Sequence, residues 1–143
     1  MNKISPRTDT RRKRSAAPAP VSRVLKEHGK VEQAHALISR AWEATTDRQA
    51  ASLARQALEL YPDCADAYTV LAESEAGSAE EACQLYQQGV DAGRRTLGEA
   101  LFDRQAGHFW GLIETRPYMR ASQGLADCLW ALGRKGESIA YWN

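Results

Sequence analysis

The chain has 143 residues, enough for one domain with a single core, and its 43% hydrophobic and 26% charged residues are ordinary for a globular protein. The net charge is only +1, yet residues 1–23 carry seven Lys and Arg against Asp9, so the remainder is acidic at −5. No run approaches the ~20 apolar residues of a membrane-spanning helix, and no apolar stretch follows the basic start as in a secretory signal, so a soluble, cytoplasmic protein is expected.

Residues 1–22 hold Pro6, Pro18, Pro20 and the cluster Arg11-Arg12-Lys13-Arg14, with few apolar side chains to order them. They read as a disordered basic arm, either a solvated leader or an electrostatic contact for nucleic acid or an anionic surface. An Arg-rich start also suits an organelle transit peptide, but it lacks the amphipathic helix of one. From Val21 the pattern turns helical. Ala34, Leu37, Ile38, Ala41 and Trp42 form one apolar stripe. Thr46 or Asp47 can cap a second helix, whose stripe is Ala50, Leu53, Ala54, Ala57, Leu58 and Tyr61, and which Pro62 closes. The two make a helical hairpin.

The hairpin repeats. Ala34, Leu37, Ile38 and Ala41 recur 34 residues on as Tyr68, Leu71, Ala72 and Glu75, and Ala50, Ala54 and Ala57 recur as Ala82, Tyr86 and Gly89. The second turn is therefore shorter, around Gly77-Ser78, where Ser78 and Glu81 make a capping box. A third copy maps Leu37, Ile38, Ala41, Ala50 and Ala54 onto Leu125, Ala126, Leu129, Ser138 and Trp142, with Gly133 at its turn. Its larger offset places an insertion near residues 98–117. Thr115 reads as the N-cap of the helix that follows, with Pro117 in its first turn and Tyr118, Ala121, Leu125, Leu129 and Leu132 as its stripe.

A helix–turn–helix unit of this period, with small residues at fixed places and a closing proline, resembles a tetratricopeptide repeat. The run Leu60-Tyr-Pro-Asp-Cys-Ala-Asp-Ala-Tyr-Thr-Val-Leu-Ala-Glu73, with Ala79-Glu-Glu-Ala-Cys-Gln-Leu-Tyr86 and Leu132-Gly-Arg134, is similar to the tetratricopeptide-like segment of the suppressor-of-tumorigenicity-seven family. The resemblance covers roughly residues 34–142. It implies an all-α stack of antiparallel hairpins over residues 23–143, about three repeats with the last cut short, and no catalytic residues. Unlike animal members, the chain has no membrane-spanning run. Ile139, Tyr141 and Trp142 have no following repeat to cover them, so a shortened family member is expected, or contact with a partner or a second copy.

Such an array binds peptide segments on the concave face of its first helices. The matching faces here carry Glu32, His35 and Ser39, then Asp66, Thr69 and Glu73, then Arg120, Gln123 and Asp127. Without lysine or asparagine there, a clamp for a C-terminal carboxylate is not expected. Glu32, Asp66 and Glu73 suit a basic or polar ligand, or form a solvated acidic face. Between Gly107 and Arg120, the residues His108, Trp110, Arg116, Tyr118 and Arg120 form a candidate ligand-contacting ridge. Arg116 and Arg120 share a helix face and can clamp an anion, or pair with Glu114 or Asp103. Equally, Phe109 and Trp110 can plug the gap opened by the insertion. Cys64, Cys83 and Cys128 form no CxxC pair and read as buried reduced thiols. His108 and Glu114 alone do not make a metal or acid–base site, and no phosphate-cradling loop or catalytic triad is present. The expectation is a non-enzymatic adaptor without metal or cofactor that binds an unidentified protein or peptide, with arm-driven nucleic-acid or anionic-surface binding as the alternative.

Overall fold

The computed structural model describes residues 21–98 and 113–142. Of the arm expected over residues 1–22, all but the last two residues lie outside this range, as do His108, Phe109 and Trp110 of the insertion. Every regular element among the described residues is helical: α1 (Val21–Glu43), α2 (Asp47–Leu60), α3 (Ala65–Ser74), α4 (Ala79–Leu97), a 3-10 turn (Ile113–Thr115), α5 (Arg116–Ala131) and α6 (Lys135–Trp142).

The helix ends follow from local chemistry. Thr46 has extended backbone, and its hydroxyl accepts the Gln49 N–H at 3.2 Å, so Thr46 rather than Asp47 is the cap of α2. At the start of α4 the Ser78 hydroxyl accepts the Glu81 N–H at 3.2 Å. The Glu81 carboxylate in turn accepts from Gly77 at 2.8 Å, so the reciprocal half of the capping box falls one residue before the cap. The α5–α6 turn is a Schellman motif. Gly133 sits at φ 81, its N–H reaches the Trp130 carbonyl, and the Arg134 N–H reaches that of Leu129. Thr115 precedes α5 as expected but makes no side-chain capping bond. The 3-10 turn leads directly into the helix and holds Thr115 in helical φ/ψ, whereas a capping hydroxyl needs extended backbone.

Each helix packs on the next in sequence, and α3 additionally touches α1 and α5. The ten residues of α3 are consequently the most enclosed, with Ala65, Asp66, Ala67, Thr69, Val70, Leu71 and Ala72 all buried. Around α1, α2 and α3 the core is built mainly of alanines, including Ala34, Ala41, Ala54, Ala57 and Ala67, with Ile38, Val70 and Leu71 filling between them. The stripe of α2 is shifted slightly: Ala51 is buried, while Ala50, Leu53 and Leu58 are half-buried at its border. Trp42, placed in the α1 stripe by periodicity, is 50% exposed instead.

A second core joins α4 to α5 through Val90, Ala121, Leu125 and Leu129, and glycines line the contact. A Cβ on Gly93 would lie 2.9 Å from Tyr118 Cβ and 3.1 Å from its Cα. One on Gly89 would lie 3.0 Å from Ala121 Cβ, and one on Gly124 would run into the Tyr86 ring. The three contacts advance up α5 as they descend α4, so the helices are antiparallel along a glycine-lined seam.

These contacts fix the sign of two substitutions. Gly93→Ala gains helix propensity of up to ~1 kcal/mol but drives a methyl against the backbone of α5, and should lose about 1–3 kcal/mol net in urea denaturation. Gly29→Ala, in the middle of α1 with nothing within 4 Å of the added methyl, should gain about 0.5–1 kcal/mol in the same assay.

Candidate functional site

Helices α1, α3, α4 and α5 leave a groove of about 470 Å³ between them. Its apolar surface comes from Val31, Ile38, Ala65, Leu97, Pro117 and the rings of Trp42, Tyr61 and Tyr118. The alanine-rich packing below keeps α1 and α3 close. The α2–α3 turn, held extended before α3 by Pro62, brings Tyr61 and Asp63 to the rim.

The charged and hydroxyl groups at the centre and rim of this groove include several that are tied down. Asp66 is only 6% exposed, and its carboxylate accepts two bonds from Arg120, from Nε to Oδ1 and from Nη2 to Oδ2, both at 2.8 Å. This fork-to-fork pairing is the strongest geometry available to a carboxylate, and it raises the Arg120 pKa. The same guanidinium lies 5.1 Å from the centroid of the Trp42 ring, a cation–π distance that spans from α5 to α1. Three helices are thereby joined through one arginine. At the rim Asp63 accepts from Arg95 of α4 at 2.9 Å. The Tyr61 hydroxyl meets that of Thr96 at 3.0 Å, and the Tyr61 ring sits edge-on to His35 at 6.2 Å.

Of the residues singled out by sequence, Asp66, Arg116, Tyr118 and Arg120 line this groove together. Glu32 does not. It is exposed on α1 and pairs with His28 at 3.0 Å. Glu73 lies two turns along α3 from Asp66, outside the lining, with its pKa raised by desolvation and by the charge of Asp66. His108 and Trp110 fall outside the described residues. The partner of Arg120 is Asp66, on another helix, rather than Glu114 nearby. Asp66 is therefore not part of a solvated acidic face, because α5 covers it and supplies its counter-charge.

Trp42 and Tyr61 are groove residues that periodicity assigned to helix stripes. Their signal is positional: each stands at or just beyond the last turn of its helix, where the stripe leaves the core and its final member is only half covered. Another depression, of about 430 Å³ beside the α1–α2 turn, is lined mostly by polar side chains such as Arg40, Glu43, Gln49 and Gln56 and gathers no aromatic anchor.

Chemically, the groove offers fixed aromatic and aliphatic surface with neutralised charges beneath it. Among the described residues, no three His, Cys, Asp or Glu side chains group so as to hold a metal ion. None of the helices described is long and apolar enough to cross a membrane. Neither the family models nor the solved structures compared with this chain yield a significant match.

A double-mutant cycle tests the central pair. Arg120→Met leaves the Asp66 carboxylate enclosed without a partner and should cost about 3 kcal/mol, toward the low end for buried pairs because the arginine is partly solvated. Asp66→Asn should cost about 2 kcal/mol. The double variant should fall short of the sum by about 1.5–3 kcal/mol in urea denaturation, the coupling of a charged bidentate bond.

Proposed function

We propose that the chain is a protein-interaction scaffold of the tetratricopeptide type, which takes a segment of a partner protein in the groove between α1, α3 and α5. The observation that carries this reading is the groove itself: aromatic anchors and an arginine at a concave junction of helices, with the buried charge already satisfied. Side chains of this kind dominate the energetics of protein interfaces. The order of contacts supports the repeat assignment. Stacked hairpins bring their first helices side by side, and α1, α3 and α5 touch in that order. The spacing of the internal repeat in the sequence supports it as well. The volume is that of a few side chains, which suits a short peptide bearing one or two large apolar residues better than a folded surface.

The test uses a partner captured by the full chain, narrowed to a peptide and titrated against wild type, Trp42→Ala and Arg116→Ala. Both positions are exposed, and both variants should keep a helical circular dichroism spectrum. Each should weaken binding tenfold or more, with little change between low and moderate salt. Affinity that is indifferent to both substitutions, that falls steeply with salt and that disappears on removing residues 1–20 would replace this reading with phosphate or anionic-surface binding through the basic N-terminal residues.

A further inference from the structure

The glycine seam between α4 and α5 carries one more facing pair. From Gly93 against Tyr118, through Gly89 against Ala121, to Tyr86 against Gly124, each step moves three or four residues along both helices. The next step brings Cys83 opposite Cys128. Both belong to the same apolar cluster, and each thiol is near enough to influence the titration of the other. Both are free thiols; Cys83 is 8% exposed and Cys128 is more accessible. Disulfide closure needs Cα atoms about 4.4–6.8 Å apart, a spacing that only closely approaching helices offer, and this seam is lined by glycines that let α4 and α5 approach.

We propose that Cys83 and Cys128 are an oxidisable pair that closes to an intramolecular disulfide with a peroxide-class oxidant. Cys128, the more accessible sulfur, attacks the peroxide as thiolate. The O–O bond breaks, one oxygen is transferred to sulfur as a sulfenic acid, and hydroxide leaves. The Cys83 thiolate then attacks that sulfur, forming the S–S bond and expelling a second hydroxide. The two thiol protons and the two hydroxides give two waters. Two electrons pass from the thiols to the peroxide. Cys64 has no such facing thiol and sits buried beside α3 in the other core.

The surroundings set the pace of this reaction. Desolvation, followed by the neighbouring thiol and Asp127, pushes Cys128 up to about 11. Cys83 is raised as well, chiefly by burial, with Cys128 and then Arg134 opposing and Glu80 and Glu137 reinforcing. Tyr86 packs beside them and is itself pushed up to about 12. The thiolate is therefore scarce at neutral pH. Closure should be slow there and should accelerate roughly tenfold per pH unit between about pH 7 and 9, as the thiolate fraction does. Once formed, the bond staples α4 to α5 at the end of the seam opposite Gly93 and Tyr118, which line the groove.

The experiment treats the full chain with hydrogen peroxide at mildly alkaline pH and reads mass, tryptic map and thermal midpoint. The expected product is a monomer lighter by two hydrogens, with one cross-linked peptide joining Cys83 to Cys128. Its midpoint should be higher by on the order of 10 °C and return to the starting value with dithiothreitol. Cys64→Ser, whatever its starting midpoint, should show the same rise, while Cys83→Ser and Cys128→Ser should each abolish it. Cys128 gaining oxygen while Cys83 still alkylates after unfolding would overturn the proposal. So would a disulfide-linked dimer through Cys128, or both thiols remaining reduced after a control thiol peptide is consumed.

Discussion

The close approach of α4 and α5 is the contact on which the C-terminal part of the structure depends. In the described structure, α5 and α6 are held to the rest by the faces that α5 presents to α4 and α3. Large side chains would set two helices at the usual 8–10 Å, with ridges seated in grooves. Gly89, Gly93 and Gly124 let them pack more tightly, and Tyr86 and Tyr118 lie over the glycines as covers. Glycine is a poor residue for a helix interior, costing up to ~1 kcal/mol each against alanine. Three of them along one contact make sense only where the neighbouring helix, its backbone or its side chains, occupies the space of the missing methyl.

That approach also decides the electrostatics. It carries Arg120 onto α3, where Asp66 would otherwise be an isolated carboxylate in a nearly closed site. A buried charge of that kind is tolerated only when paired and hydrogen-bonded. The pair does more for orientation than for net stability, since desolvation offsets much of its attraction. Its two parallel bonds fix the plane of the guanidinium, and Trp42 on α1 lies against it. The indole remains half in solvent, yet it is held by an arginine that has its own anchor.

Much of the helical layout is legible in the sequence. Thr46, Pro62, Ser78 and Gly133 act within a few residues of where they stand, so capping and turn chemistry place the helix ends without any knowledge of the fold. The apolar stripes of α1 and α5 emerge from periodicity for the same reason. What local reasoning misses is anything decided by a distant residue. Asp66 and Arg120 are 54 positions apart, and no window of helical length contains both. A signal did exist: under the proposed repeat, Glu32, Asp66 and Arg120 fall at matching positions of successive copies. Copies packed side by side would make them neighbours, so an acid in one and an arginine in the next predict a bridge. Cys83 and Cys128 are harder to see, because nothing in the local pattern of either helix points to the other. Only the register of the glycine seam brings them together.

The groove follows from these constraints rather than from a feature of its own. Where α1, α3 and α5 meet, alanine-rich packing lowers the floor, and the aromatic residues at the helix ends stand as walls. With Asp63 held by Arg95 and Asp66 by Arg120, a ligand entering there does not first have to strip water from two isolated carboxylates. Affinity would rest on apolar contact with rings already fixed in place, and fixed rings lower the ordering cost of binding. Charge would then act through orientation. The Asp66–Arg120 pair backs Trp42, so under the proposed function a substitution at Asp66 would alter which segments fit even though its carboxylate lies beneath the groove surface.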